Sequence, residues 1–592
     1  MINGHDVVAD YLADLAFLPK SDGKPAPKTP PNAVLVPASR NSAFYTAHSY
    51  HTKVPPEAIT PFIEHFTKEG DVVLDLFCGS GMTGVAAAMS GRKAILNDLS
   101  PAAAHLAWNH TTPCDPKALQ VAFNELERNV EEKLAALYST TDANGQEAMI
   151  HWTMWSAQHK CPDCKKKFLL WDAVDTATGR LGTTIACPKC GVTLKRRKLE
   201  ALDSVPAWIS YKSNDGARIQ KAPSASDIKK ARSFSREEIK DWFPSVPLGP
   251  EREMYIRCAL HLRGIKEVAD FYTPRNLAAL AIIWAEIHKI IDKRSRAALT
   301  FAFTNTAWHG TKMRRFNARG GQRPLTGTLY IPQLSSEVNV LEVMRNKIAQ
   351  LKRYYTAYKP ATENTSFVIN GSATDLKGIE DCSIDYVFTD PPFGSNLFYA
   401  DCNLIWESWL GRVTDASNEA VVNCSLDVAS GGKTLEVYEG LMTQSMREIA
   451  RVLKPGGWAT VVFHSTDGDV WNALHNAARE AGFEFHDAAS LDRKQQSHKG
   501  YKGRSGEEDV AHFDVVMNLR KPNVVRSISA IKSLDRRASR TLEDLIREAT
   551  IDPQVKQRGT QGVHAELVRR LASKGEDVFF DYADVRRVLE SI

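Results

Sequence analysis

The sequence predicts an α/β fold: a doubly wound, mostly parallel sheet interrupted by a large helical insert. Three observations predict it. Short apolar runs alternate with helical stretches in two separate regions, about 34–110 and 366–522. The first strong strand runs into a glycine pair, and the next strand ends in a carboxylate. Between the two regions, residues 111–365 break the alternation with long helical stretches, paired cysteines and basic loops.

Each element follows from local chemistry. Residues 1–18 read as a short helix, and a Pro/Lys-rich linker runs to residue 33. The strand Val72-Val73-Leu74-Asp75-Leu76 enters Gly79-Ser80-Gly81, and a small-residue helix, Thr83 to Ser90, ends at Gly91. A second strand, Lys93 to Leu96, ends at Asn97-Asp98. The pattern resumes with Phe367-Val368-Ile369, with Asp385 to Thr389, and with Trp458 to His464 after the turn Lys454-Pro455-Gly456-Gly457. A hairpin is expected from Phe483–His486 and His512–Leu519, and residues 523–592 read as a charged helical tail without a chemical signature.

Bulk properties bound the function. At 592 residues, the chain is too long for one core. It is 43% hydrophobic and 24% charged, with a net charge of only +5, so affinity for nucleic acid must come from local patches. The run Asn276 to Ile291 is short of a membrane span and carries Glu286, His288 and Lys289, so a buried or amphipathic helix is expected and no membrane partner. The N-terminus lacks a basic region ahead of its apolar residues, which argues against a signal peptide and for the cytoplasm.

Glycines where a strand turns into a helix permit a sharp turn and close approach of backbone to a ligand. Asp98, twenty-three residues after Asp75, stands where doubly wound sheets hold ribose hydroxyls. The spacing is not GxGxxG and no Walker lysine follows, which argues against a dinucleotide or nucleoside triphosphate. A nucleoside ligand without phosphates fits, and S-adenosylmethionine (AdoMet) is one.

The stretch Thr389-Asp390-Pro391-Pro392-Phe393 closes another strand at its carboxyl end, where open α/β sheets bind ligands. An exocyclic base amine is a poor nucleophile because its lone pair is delocalised into the ring. If the Asp390 carboxylate and the Pro391 carbonyl accept its two N–H bonds, the nitrogen moves toward tetrahedral geometry and the lone pair becomes available. Pro392 would keep these acceptors aimed, and Phe393 would stack on the base. Positioning and electrostatics would then carry the catalysis. An edge strand stopped by prolines is the bland alternative.

With DLFCGSGMTG, NDLSP and DPPF in one chain, the sequence resembles the DNA amino-methyltransferases. The runs DPPFGSNLFYADCNLIWESWLGR and REIARVLKPGGWATVVFH resemble those adenine-specific DNA methylases that carry a zinc ribbon. The resemblance implies a Rossmann-like AdoMet-dependent methyltransferase sheet. Asp75, Phe77, Gly79, Ser80, Gly81 and Asp98 would contact the cofactor, and the stretch HSYHTKVPPEAI would bring Thr52 and Lys53 to the methionine carboxylate. Family members carry Gly-Asp after the third strand; here Gly371-Ser372-Ala373 passes that contact to Ser372 or backbone. Asp at position 390 favours adenine N6 over cytosine N4. Cytosine N4, an RNA base, and a non-catalytic nucleic-acid-binding subunit remain the alternatives.

Cys161-x-x-Cys164 and Cys187-x-x-Cys190, with twenty-two residues between, form a zinc-ribbon pattern within about 158–195. Four thiolates would close the coordination sphere, so the Zn2+ is expected to be structural. The loop His309 to Arg323 mixes Lys312, Arg314, Arg315, Arg319 and Arg323 with Phe316 and glycines, and is expected to contact double-stranded DNA. No nuclease or ATPase motif stands out, so a restriction or defence role would need partner proteins.

Overall fold

A computed structural model describes residues 6–21, 42–175, 181–213, 216–316, 323–492, 513–523, 541–574 and 576–591. Its main sheet has seven strands: β1 (Val72–Asp75), β2 (Lys93–Asp98), β3 (Ser366–Asn370), β4 (Ile384–Thr389), β5 (Leu453–Phe463), β6 (Glu484–Asp492) and β7 (Phe513–Arg520). Their spatial order is β3-β2-β1-β4-β5-β7-β6. The first five run parallel, and β7 runs antiparallel to both neighbours. Every residue of β1 and β4 is buried, as expected for central parallel strands covered on both faces.

Side-chain alternation divides the core. Val73, Tyr386 and Phe388 face one layer, while Leu74, Ile384 and Val387 face the other. The first layer is continuous with the insert: Ala102 and Leu106 beside the sheet share a cluster with Leu119, Leu280, Phe301 and Trp406. The insert is therefore packed into the same core as the sheet rather than hung from it. Its long helices are Pro116–Tyr138, Pro274–Ile287, Lys293–His309 and Val340–Ala357. Its own sheet pairs Glu147–Lys160 with Ala201–Lys212 and with Leu334–Val338. The apolar run at 276–291 is the buried helix Pro274–Ile287, and no helix among the described residues is long and apolar enough to cross a membrane. The second layer is completed from the C-terminus, where Leu545, Leu567, Val568 and Leu571 join Phe463, Leu474 and Leu519.

One expectation needs correction. Residues 6–21 form only two short 3-10 turns, Ala9–Tyr11 and Leu15–Phe17, and no α-helix. The backbone bonds there go to distant elements: Val7 N–H donates to Leu410 O and Ala13 N–H to Val368 O. Tertiary partners satisfy the donors that a helix would have used.

A buried ion pair joins the insert sheet to its helices. The Arg275 guanidinium pairs with Glu337, and Glu337 also accepts from Thr273 and from Trp155 Nε1. Both side chains are almost fully buried. Glu337→Ala would strand the guanidinium in the core and is expected to cost roughly 3–5 kcal/mol, read as a lowered unfolding midpoint. Mutating the exposed Arg345–Glu127 pair should change it by less than about 1 kcal/mol.

Candidate functional site

A cleft of about 1020 Å3 opens over the carboxyl ends of β1, β2, β3 and β4. The cleft spans the point where strand order reverses, between β1 and β4.

The glycine loop supplies the floor. Gly79 has φ +48°, and a Cβ there would lie 2.8 Å from the Tyr50 ring. Gly81 has φ +77°, and a Cβ there would lie 2.6 Å from the Ala107 backbone. Each position combines left-handed backbone with close packing, which only glycine accommodates. Phe77, Gly79 and Ser80 line the cleft, whereas Gly81 turns away beneath the helix Pro101–Thr111 to cap Met82–Met89. Asp98 holds the loop to β2, accepting from Gly79 N–H at 2.8 Å and Ser100 N–H at 2.9 Å. Asp75 ties two strand ends together by accepting from Thr83 Oγ1 at 2.6 Å and Thr389 Oγ1 at 2.8 Å.

Other predicted residues take varied positions. Thr52 lines the cleft, with its hydroxyl 3.0 Å from that of Tyr399. Lys53 lines it too, but its ammonium donates to the carbonyls of Phe44, Tyr45 and His48. Burial pulls that ammonium down to about 7, with Lys347 adding repulsion. Ser372 lines the β3 end, hydrogen-bonded to Thr374.

Asp390 and Pro392 reach the same cleft from β4. Pro391 is buried and, unlike them, does not line the cleft, and Tyr438 Oη donates to the Pro392 carbonyl at 2.8 Å, fixing the turn. Phe393 does not line the cleft. Its ring packs edge-on against Phe463 at 5.4 Å and His464 at 5.9 Å, with 7% exposed.

Several lining residues escaped the sequence reading: Tyr50, Ser100, Tyr399, Thr414, Asn418 and Glu419. Tyr50 stacks between Tyr399 and Trp406. Glu419 accepts from Ala400 N–H at 3.0 Å, holding the short helix Tyr399–Cys402 that carries the Tyr399 ring. Beneath them Glu407 accepts from Ser100 Oγ and Thr414 Oγ1. An acid set in the otherwise apolar run Leu404–Leu410 was the available signal.

The four paired cysteines converge: their Sγ atoms all lie within 4.8 Å of one another, with Cys161 and Cys190 3.8 Å apart. Bonds of about 2.3 Å to a tetrahedral zinc require sulfur separations near 3.8 Å. Each pair sits on a tight turn, closed by Lys165 N–H to Cys161 O and by Gly191 N–H to Cys187 O. The donor set fits a closed metal site.

The basic loop is only partly a surface. Lys312 Nζ donates to Asp270 O, and Arg314 lies 3.1 Å from His309 Nδ1, its guanidinium pushed down to about 10 by burial. Phe316, expected at a nucleic-acid surface, instead packs against Trp152 and Trp171. Arg315 and Arg323 are exposed, and Arg319 lies outside the described residues. The chain beyond Arg323 docks beside the cleft, where Gly327 N–H donates to His51 Nδ1.

Burial raises Asp75, Glu407 and Glu419 to about 7 and Asp98 to about 6. These values exceed those of the unfolded chain, so the protonated forms favour the fold. Their contribution is full below about pH 4 and is lost as pH rises through about 7. Asp75→Asn and Glu407→Gln should each flatten the fall in unfolding midpoint between pH 4 and 7, while an unchanged slope would contradict the assignment.

The family described as DNA methylase, covering N6 and N4 methyltransferases, matches residues 24–109. No curated protein matches the chain. Among solved structures, a Thermus thermophilus protein assigned as a DNA modification methylase is 15% identical over 32% of this chain and 61% of its own, with a TM-score of 0.16. The [4+2]-cyclase SpnF is 16% identical over 34% and 65%, at 0.17. The antibiotic-resistance methyltransferase Kmr is 13% identical over 30% and 71%, at 0.16. The chain thus spans about three fifths of the Thermus protein.

Proposed function

We propose that this chain is an AdoMet-dependent methyltransferase of double-stranded DNA, acting on the exocyclic amine of an extruded base, adenine N6 foremost. One observation carries the reading: a single cleft is lined both by Gly79, Ser80 and Asp98 and by Asp390 and Pro392. AdoMet, when bound, supplies the electrophilic methyl group and leaves as the neutral thioether. Asp98 would take the ribose hydroxyls, and Ser372 the edge of the adenine. Asp390 and the Pro391 carbonyl would accept the two N–H bonds of the target amine, freeing its lone pair for the methyl carbon. Transfer would break the cofactor's C–S bond as the N–C bond forms, and Asp390 would pass the surplus amine proton to water.

Phe393 supports this geometry differently from the sequence expectation. Packed edge-on to Phe463 and His464, it braces the turn that aims Asp390. The exposed cations Arg315 and Arg323 supply phosphate contact.

Asp390→Ala should lower methyl transfer to duplex DNA by at least about a hundredfold, with AdoMet affinity nearly unchanged. Retention of most activity would refute the assignment. A mass-spectrometric digest of the methylated DNA separates N6-methyladenine from N4-methylcytosine.

The four thiols would hold one structural zinc. Purified protein should contain about one zinc per chain, and Cys164→Ser should lose it and loosen the ribbon while leaving AdoMet binding intact. Protein that folds and functions fully without metal would overturn this.

A further inference from the structure

Extruding a base from duplex DNA leaves a gap in the stack, and proteins that distort duplexes fill such gaps with apolar wedges. We propose that Leu262, at the tip of a knuckle in the insert, is that wedge. This rests on the methyltransferase reading and adds to it the residue that holds the duplex open.

A lone exposed leucine needs no explanation on a protein surface; this one is mounted. The 3-10 turn Leu260–Arg263 is bounded by left-handed backbone on both sides, Ala259 at φ +48° and Gly264 at φ +68°. That conformation is unfavourable for alanine, so the surroundings must impose it. Leu260 and Ile265 are wholly buried and anchor the turn, while Leu262 between them is 74% exposed.

The chain leading into the knuckle is fastened to segments that follow the Asp390 turn. Arg252 pairs with Asp401 at 3.0 Å, in the helix that carries Tyr399. The buried Glu253 carboxylate accepts from the backbone N–H groups of Ser425 and Leu426. Arg257 lies over the Phe398 ring at 5.5 Å, five residues beyond Phe393. The stretch Ile256–Lys266 carries Arg257, Arg263 and Lys266 and no acid. An apolar tip flanked in sequence by cations, anchored at its base by buried side chains and joined to segments that follow the Asp390 turn, has the chemistry to enter a base stack between two phosphate backbones.

The test measures transfer of labelled methyl groups to unmodified duplex DNA, with AdoMet affinity and unfolding midpoint measured in parallel. Leu262→Ala should lower kcat at least about tenfold with both parallel readouts unchanged, and Leu262→Phe, another wedge, should stay within about threefold of the parent. Ile291→Ala, removing a side chain 92% exposed elsewhere, should leave turnover unchanged. Full activity in Leu262→Ala overturns the proposal. So does full activity in Leu262→Lys, since a cation could serve only as a phosphate contact. A parent chain that transfers no methyl group overturns the methyltransferase reading, and the wedge with it.

Discussion

The pairing of β1 with β4 is the constraint on which the remaining structure depends. Val73 lies against Tyr386 and Leu74 against Val387, and Val72 N–H donates to the Asp385 carboxylate across 313 residues of sequence. At the carboxyl ends, Thr389 donates to Asp75, so the turn after β4 and the loop after β1 are hydrogen-bonded to each other through their last strand residues. Any geometry in the cleft is inherited from this register. A slip of one residue would reverse which side chains face each layer and would carry Asp390 away from the glycine loop.

Bringing distant strands together costs chain entropy, which grows only slowly with the length of the intervening loop. Here the intervening chain is itself packed against the sheet, so its ordering is offset by buried apolar area. The same packing conveys position outward. Arg252 and Glu253 come from the insert and hold segments of the catalytic half, and Gly327 reaches His51, between the cleft-lining Tyr50 and Thr52. The insert is therefore fastened to the half of the sheet that carries Asp390.

The electrostatic character of the cleft follows from what lines it. Asp75, Asp98, Asp390 and Glu419 contribute carboxyls, whereas Lys53 has committed its ammonium to three backbone carbonyls. Burial makes ionised carboxylates expensive, which appears as the raised pKa values of Asp75, Asp98 and Glu419. A cationic ligand would offset that cost.

The sequence by itself determined the features that depend on near neighbours. Apolar runs ending in glycine or aspartate marked β1 and β2, and the apolar run from Trp458 marked most of β5, which also takes in the expected turn residues Lys454–Gly457. Two Cys pairs on short turns could be read directly, because knuckle geometry is local. Tertiary structure alone decided which aromatic side chains face the cleft. Phe393 and Phe316, prominent in sequence, turn into the core, while Tyr50 and Tyr399, unremarked there, form a wall. It also decided that Lys53 is spent on backbone and that Leu262 stands clear of the surface. The physical reason is that strand and turn formation is governed by residues a few positions apart. The direction of a side chain at a site is set by whatever distant element packs beside it.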